Sequence, residues 1–186
     1  MGMPQSTTEW TVAMLADLPD DGNRYEVIEG ELIVSPAPSI LHQAALGKLY
    51  LLVEPYLASI GRSRAFVAPL DVTFSAKSGV QPDLLAMPLL DGARLPKVFT
   101  DVGRLVLAVE ILSPSTQRTD RTKKRALYRT HGVPDYWVVD LDDRIIERTT
   151  PKDLIVESIG DRLVWQPYAD HAPLVIDVAE YFRSVH

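Results

Sequence analysis

Residues 105–115 read LVLAVEILSPS. Of the eight residues Leu105–Leu112, seven are apolar and the exception is Glu110. The run is far shorter than the about 20 residues of a membrane-spanning helix. Its length and uniformity suit a central strand covered on both faces. A carboxylate in such a strand is costly unless a cation or a hydrogen-bond donor meets it. Fold and function both turn on what meets Glu110.

Downstream, TDRTKKRALYRTHG (119–132) has helical spacing and ends at Gly132. On a 3.6-residue wheel Asp120, Lys124, Leu127, Tyr128 and His131 share one stripe, which places Lys124 in the middle of the face that packs on the sheet. Lys123 and Arg125 point away from it. Upstream, VQPDLLAM (80–87) carries Asp83 just after Pro82 in an otherwise apolar strand. Two acids on neighbouring strands and one inward lysine form a set that neutralises itself.

The remaining elements fill in around this unit. TTEWTVAMLADL (7–18) has the pattern of a first helix, with Thr7 or Thr8 as N-cap and Glu9 in its first turn. RYEVIEGELIVSP (24–36) predicts a hairpin turning at Glu29-Gly30 and stopped by Pro36 and Pro38. SILHQAALGKLYLLVEPYLASIG (39–61) is the longest helix, with an apolar stripe from His42 to Ile60, Gly61 as C-cap and a bend expected at Pro55. Further hairpins are expected over 68–87, 135–150 and 154–168, and a short helix over 177–185. Strands and helices are interspersed around one buried strand-to-helix unit, so the fold class is α/β with a mixed sheet flanked by helices and additional hairpins.

The chain has 186 residues, enough for a single domain with a sizeable core. Its expected organisation is an N-terminal helix and connection (1–23), a core of about 24–150, and a C-terminal hairpin and helix (151–186). The net charge of −6 means that a polyanionic partner requires a local basic patch working against the overall field. With no cysteine, disulfides and thiolate metal sites are excluded, which fits a reducing cytoplasm. No run approaches membrane-spanning length, and MGMPQSTTEW (1–10) lacks the basic and apolar regions of a secretory signal.

The set Asp83, Glu110 and Lys124 suits phosphodiester hydrolysis. Paired carboxylates hold Mg²⁺ or Mn²⁺ through oxygen and leave positions for water and phosphate, and the backbone carbonyl of Ile111 offers a further oxygen. The metal polarises the phosphoryl oxygen and acidifies the attacking water, while a lysine beside it orients that water or stabilises the developing charge. Taken singly, each residue has a plainer reading. Asp83 after Pro82 suits a turn at a strand end. Glu110 suits a strand end reaching solvent, and Lys124 suits a side chain snorkelling from the edge of its stripe. A purely structural buried ion cluster is a further alternative. Gln81 shares a strand face with Asp83. Arg118, Arg121 and Lys123 belong to the one local basic run, positioned to contact phosphates or simply to be a solvated helix face.

The ordered set YEVIEGELIVSPAPS, HQ, VAPLDV, VQPDLL, VEILSPST, D…K…LY and GVPDYWVVD resembles the Uma-type restriction endonuclease family of the PD-(D/E)XK nuclease superfamily. The resemblance runs from about Arg24 to Asp140. It implies a restriction-endonuclease-like core, with Asp83 as the motif aspartate and Glu110 as the second acid. The superfamily pattern expects a lysine two residues after the second acid, where Leu112 stands. The Uma-type family places its lysine on the following helix, and Lys124 matches that position. Glu31 matches the acid of the family's dGEL stretch and His42 a histidine near the start of its first core helix. The expected activity is metal-dependent cleavage of nucleic acid, DNA in the first instance, by a homodimer whose two sites cut two strands. The alternative is a non-catalytic module that keeps the fold for binding or assembly.

Overall fold

A computed structural model describes residues 9–91, 93–153 and 155–185. Its centre is a six-stranded sheet in the order β10-β9-β8-β7-β6-β3. The strands are β3 (Ser63–Val67), β6 (Leu84–Pro88), β7 (Leu107–Ile111), β8 (Tyr136–Asp140), β9 (Ile145–Thr149) and β10 (Glu157–Ile159). Only β7 and β8 pair in parallel; every other neighbour is antiparallel. Parallel neighbours need a crossover. Here it is a helix in three stretches: α2 (Gln117–Thr119), a π turn over Asp120–Lys124, and α3 (Arg125–Thr130).

A second, four-stranded sheet has the order β2-β1-β5-β4, formed by β1 (Arg24–Ile28), β2 (Glu31–Ser35), β4 (Val72–Ser75) and β5 (Ser78–Val80). The β1–β2 hairpin turns at Glu29 and Gly30, both at positive φ (51° and 81°). Two consecutive left-handed residues make the primed turn whose twist matches that of the flanking strands. The sequence expectation of one hairpin over 68–87 is corrected. β4 and β5 form that hairpin, and the chain then leaves the sheet through Gln81-Pro82-Asp83 to enter β6 of the other sheet.

The strand alternation sorts side chains between two cores. Leu84, Ala86, Leu107, Val109, Ile111, Trp137 and Val139 pack on one side with α1 (Ile40–Ile60) and α4 (Val178–Val185). Leu85, Met87, Ala108, Tyr136 and Val138 pack on the other with Val72, Val80, Leu127 and Tyr128, toward the four-stranded sheet and α3. Glu110 lies one alternation beyond Ala108, so it faces this second core.

Ser39 Oγ accepts from the His42 backbone N–H at the start of α1, Gly61 (φ 70°) closes it, and the helix continues through Pro55. The expected N-caps Thr7 and Thr8 lie outside the described residues. The first helix is shorter than expected: a 3₁₀ segment over Val12–Asp17, with Glu9 ahead of it and paired to Lys77. The hairpin expected over 154–168 does not form. β10 extends the large sheet beside β9, while β11 (Arg162–Trp165) pairs with β12 (Leu174–Asp177) in a separate ribbon. Trp165 explains the separation. Its indole is fully buried, donating to Asp135 Oδ2 and packing edge-on to Trp137, which holds β11 over the first core.

Candidate active site

The register of β6 on β7 sets Leu84 opposite Val109, which brings Asp83, one step outward, beside Glu110. Asp83 is 3% exposed and closely held. Its Oδ2 accepts from the Ile111 backbone N–H at 2.8 Å and from His42 Nε2 at 3.0 Å, and its Oδ1 accepts from Arg24 Nη1 at 2.9 Å. Burial alone raises a carboxyl's pKa. The His42 hydrogen bond and charge, Arg24 and the Ile111 amide outweigh it and hold Asp83 at about 2.

Glu110 (2% exposed) meets Lys124 (3% exposed). Lys124 Nζ lies 3.0 Å from Glu110 Oε1, 2.9 Å from Glu26 Oε2 and 3.8 Å from Asp120 Oδ1. Tyr128 Oη donates to the same Glu110 Oε1 at 3.0 Å. Burial pushes Glu110 well above the usual carboxylate range; Lys124 opposes this, and the neighbouring acids Asp120, Asp83 and Glu26 reinforce it. Burial works against the Lys124 ammonium, yet Glu110, Glu26 and Asp120 together raise its pKa and keep it charged. Asp120 is pushed up to about 6, chiefly by burial, and neither of its oxygens has a hydrogen-bond partner among the described residues.

Asp120 and Lys124 sit at the two ends of the π turn. Such turns are rare and recur at functional sites. Tyr136 Oη caps the Asp120 carbonyl at 3.0 Å and fixes the turn against β8.

Arg24, His42, Asp83, Glu110, Asp120 and Lys124 all line one cleft of about 520 Å³. Among them four carboxylates, counting Glu26 behind Lys124, face two permanent cations, Arg24 and Lys124. Acceptor capacity is also left over. A carboxylate has about four lone-pair sites. Asp83 uses three of them, Glu110 uses those of Oε1 only, and Asp120 uses none in hydrogen bonds. Among the described residues no group of three His, Asp or Glu side chains forms a ready metal cage. The surplus negative charge and the spare oxygens do fit a hard divalent cation that keeps most of its water and takes one or two carboxylates.

The matched portion of the chain spans this whole arrangement, from the 3₁₀ segment to β12. The chain belongs to the Uma2 family. Residues 12–176 match that family, described as "Putative restriction endonuclease". The fold is similar to a crystal structure from Anabaena variabilis ATCC 29413, described as "a putative nuclease belonging to DUF820". The TM-score is 0.79 at 20% identity, over 95% of this chain and 99% of that one. No curated protein matches the chain.

Within this Uma2 chain the other expected residues fall in different places. Glu31 does not join the cluster: it stands opposite Ile28 beside the hairpin turn, 61% exposed, and pairs with Lys123. Glu26, one alternation further along the same inner face, occupies the buried position by Lys124. Gln81 contributes its backbone rather than its side chain. Its N–H donates to Glu26 Oε1 at 2.7 Å and its carbonyl accepts from Arg24, while its amide turns outward to Asp71. Arg121 is bound to Asp140 and Glu147, and Arg125 also pairs with Glu147. Of Arg118, Arg121 and Lys123, Arg118 alone is exposed without an ion-pair partner among the described residues. Arg24 and Glu26 are the residues sequence reasoning passed over. Their signal was the period-2 spacing Arg24, Glu26, Ile28, in which two charges share the inward face of a strand with an apolar residue.

Proposed function

We propose that the chain is a Mg²⁺- or Mn²⁺-dependent nuclease that hydrolyses phosphodiester bonds, with DNA as its substrate. The observation that carries this reading is Lys124. A lysine 3% exposed, within 3.0 Å of Glu110 and 2.9 Å of Glu26, and on a cleft with Asp83, is costly as mere packing. Family membership supports the same class of reaction.

In this reading Asp83, Glu110 and the Ile111 carbonyl hold the metal, which supplies electrophilic polarisation of phosphate and an acidified water. Lys124 stays protonated, holds Glu110 in place and stabilises negative charge as it develops. His42 fixes the Asp83 carboxylate through Nε2. Arg118, at the start of the crossover helix, meets flanking phosphate, and two copies related by a two-fold axis would serve two strands.

One observation favours a second reading, a nuclease fold kept for binding: no group of three metal-ligating side chains stands assembled among the described residues. One set of measurements separates the two. Supercoiled, linear and single-stranded DNA and RNA are incubated with Mg²⁺ or Mn²⁺ and the wild type, Glu110→Gln or Lys124→Ala, and thermal unfolding is followed with and without metal. The nuclease reading expects cleavage by the wild type alone and a metal-dependent rise in Tm that Glu110→Gln abolishes. Equal activity in all three proteins, or no metal response in any, overturns it.

A further inference from the structure

Lys124 is the expected cation of the cleft, yet its ammonium is turned to Glu26, Glu110 and Asp120. Two of its three donors are taken at hydrogen-bond distance by Glu26 and Glu110, the third faces Asp120 at 3.8 Å, and the side chain is 3% exposed, so it offers little to an incoming phosphate. Among the described residues that line the cleft, only Arg24 and Lys124 are Arg or Lys. Arg24 spends its hydrogen bonds differently. One nitrogen, Nη1, makes both protein contacts, to Gln81 O at 3.0 Å and to Asp83 Oδ1 at 2.9 Å. Nε and Nη2 have no partner among the described residues, and unlike the sealed Nε of Arg125 neither is a buried, unpartnered atom. The side chain is nonetheless only 22% exposed. An arginine whose sole task was to neutralise Asp83 would gain more from a two-pronged pairing. Instead Nε and Nη2 stay unpartnered and unsealed on a side chain that lines the cleft, while Nη1 is held by a carboxylate and a carbonyl.

Resting on the nuclease reading, we propose that Arg24 is the residue that binds the scissile phosphate. Its Nε and Nη2 grip two oxygens of the phosphodiester while Nη1 stays on Asp83 and Gln81. The planar fork matches two oxygens of one phosphate, which an ammonium cannot do. The same strand supplies the anchor for Lys124 (Glu26) and the clamp for substrate (Arg24), two residues apart on one face. Arg24 thereby ties the position of the phosphate to that of Asp83.

Arg24→Lys and Arg24→Gln test this against Arg183→Gln, which removes the same charge from α4, on the far side of the central sheet. Two readouts are needed: cleavage of supercoiled DNA in Mn²⁺, and binding of a short duplex by fluorescence anisotropy in Ca²⁺. Both Arg24 variants should fall at least about 10-fold in duplex affinity and about 100-fold in kcat/KM. Arg183→Gln should match the wild type, and added guanidinium ion should partly restore Arg24→Gln. Binding or cleavage by Arg24→Lys within about 2-fold of wild type overturns the assignment and leaves the nuclease reading standing. Duplex binding by the wild type that Arg24→Gln loses, with no cleavage under any condition, upholds the assignment while the hydrolytic reading fails. No binding and no cleavage by the wild type overturns both.

Discussion

Replacing Lys124 by Met removes the one ammonium among Glu26, Glu110 and Asp120 and keeps most of the side-chain volume. A lysine whose head reached water would lose under about 1 kcal/mol. Lys124 is 3% exposed and its carboxylate partners, at 2.9, 3.0 and 3.8 Å, are themselves buried. Taking one partner from a buried ion cluster costs about 3–5 kcal/mol, because the charges left behind cannot be rehydrated. For a chain of this length each kcal/mol moves Tm by about 2–4 °C, so the expected drop is about 6–20 °C at pH 7.5. Circular dichroism melts of wild type, Lys124→Met, Glu110→Gln and the double variant measure it. The double variant should recover about 0.5–3 kcal/mol relative to the sum of the singles, since it deletes one charge of each sign. The deficit of Lys124→Met should shrink on acidification from pH 8 to 5, as the stranded acids take up protons that the unfolded chain does not. A Tm within about 2 °C of wild type, or a deficit that grows on acidification, refutes the cluster as a stabilising unit.

The two other acids should show opposite pH dependences. Asp120 sits at about 6 against an ordinary 3.8, so it binds its proton more tightly folded than unfolded and its ionisation removes stability as pH rises from about 4 to 6. That amounts to about 3 kcal/mol, and urea unfolding of Asp120→Asn should lack this slope; parallel profiles for the two proteins refute it. Asp83, held at about 2, contributes stability that is complete above about pH 4 and lost as pH falls toward 2. Asp83→Asn should therefore be about 2 kcal/mol less stable at neutral pH and converge with the wild type in acid; a constant gap counts against the pairing with His42 and Arg24. Away from the site, a Cβ on Gly79 would stand 2.7 Å from Val12 Cγ2. Gly79→Ala should cost about 1–3 kcal/mol in chemical denaturation, and Val12→Ala in the same chain should return most of it.

What was legible in the sequence was local. Continuous apolar runs located β7 and β8, and 3.6-residue spacing located the long α1 and the crossover helix, because each buries itself against neighbours that any sheet would supply. Asp83, Glu110 and Lys124 were legible because single charges interrupt apolar patterns. Arg24 and Glu26 were harder to read: period 2 puts them on the face of Ile28, but the burial of that face depends on a second sheet closing over the first. Glu31 misled for the same reason. It shares the inward face of the hairpin, but lies beside the turn, where the covering layer ends. The π turn was hidden because four-residue spacing still brings Asp120 and Lys124 together. The C-terminal strands were recognisable as strands, but their partners are chosen by distant residues such as Asp135 and Trp137.

The cleft is assembled from halves. β1 of the four-stranded sheet delivers Arg24 and Glu26, the six-stranded sheet delivers Asp83 and Glu110, and Pro82 lies in the strap that joins them. Arg24 meets Asp83 and Glu26 meets Lys124 across the two layers, so these pairs form only when the layers dock. A chain still emerging or partly opened holds scattered acids and bases rather than a reaction centre. Whatever the cleft does to a substrate, it does only after the last long-range step of folding is complete. Catalytic competence and structural integrity are then a single measurable event, and residual activity during denaturation should follow the meeting of the two layers rather than the survival of any one helix or hairpin.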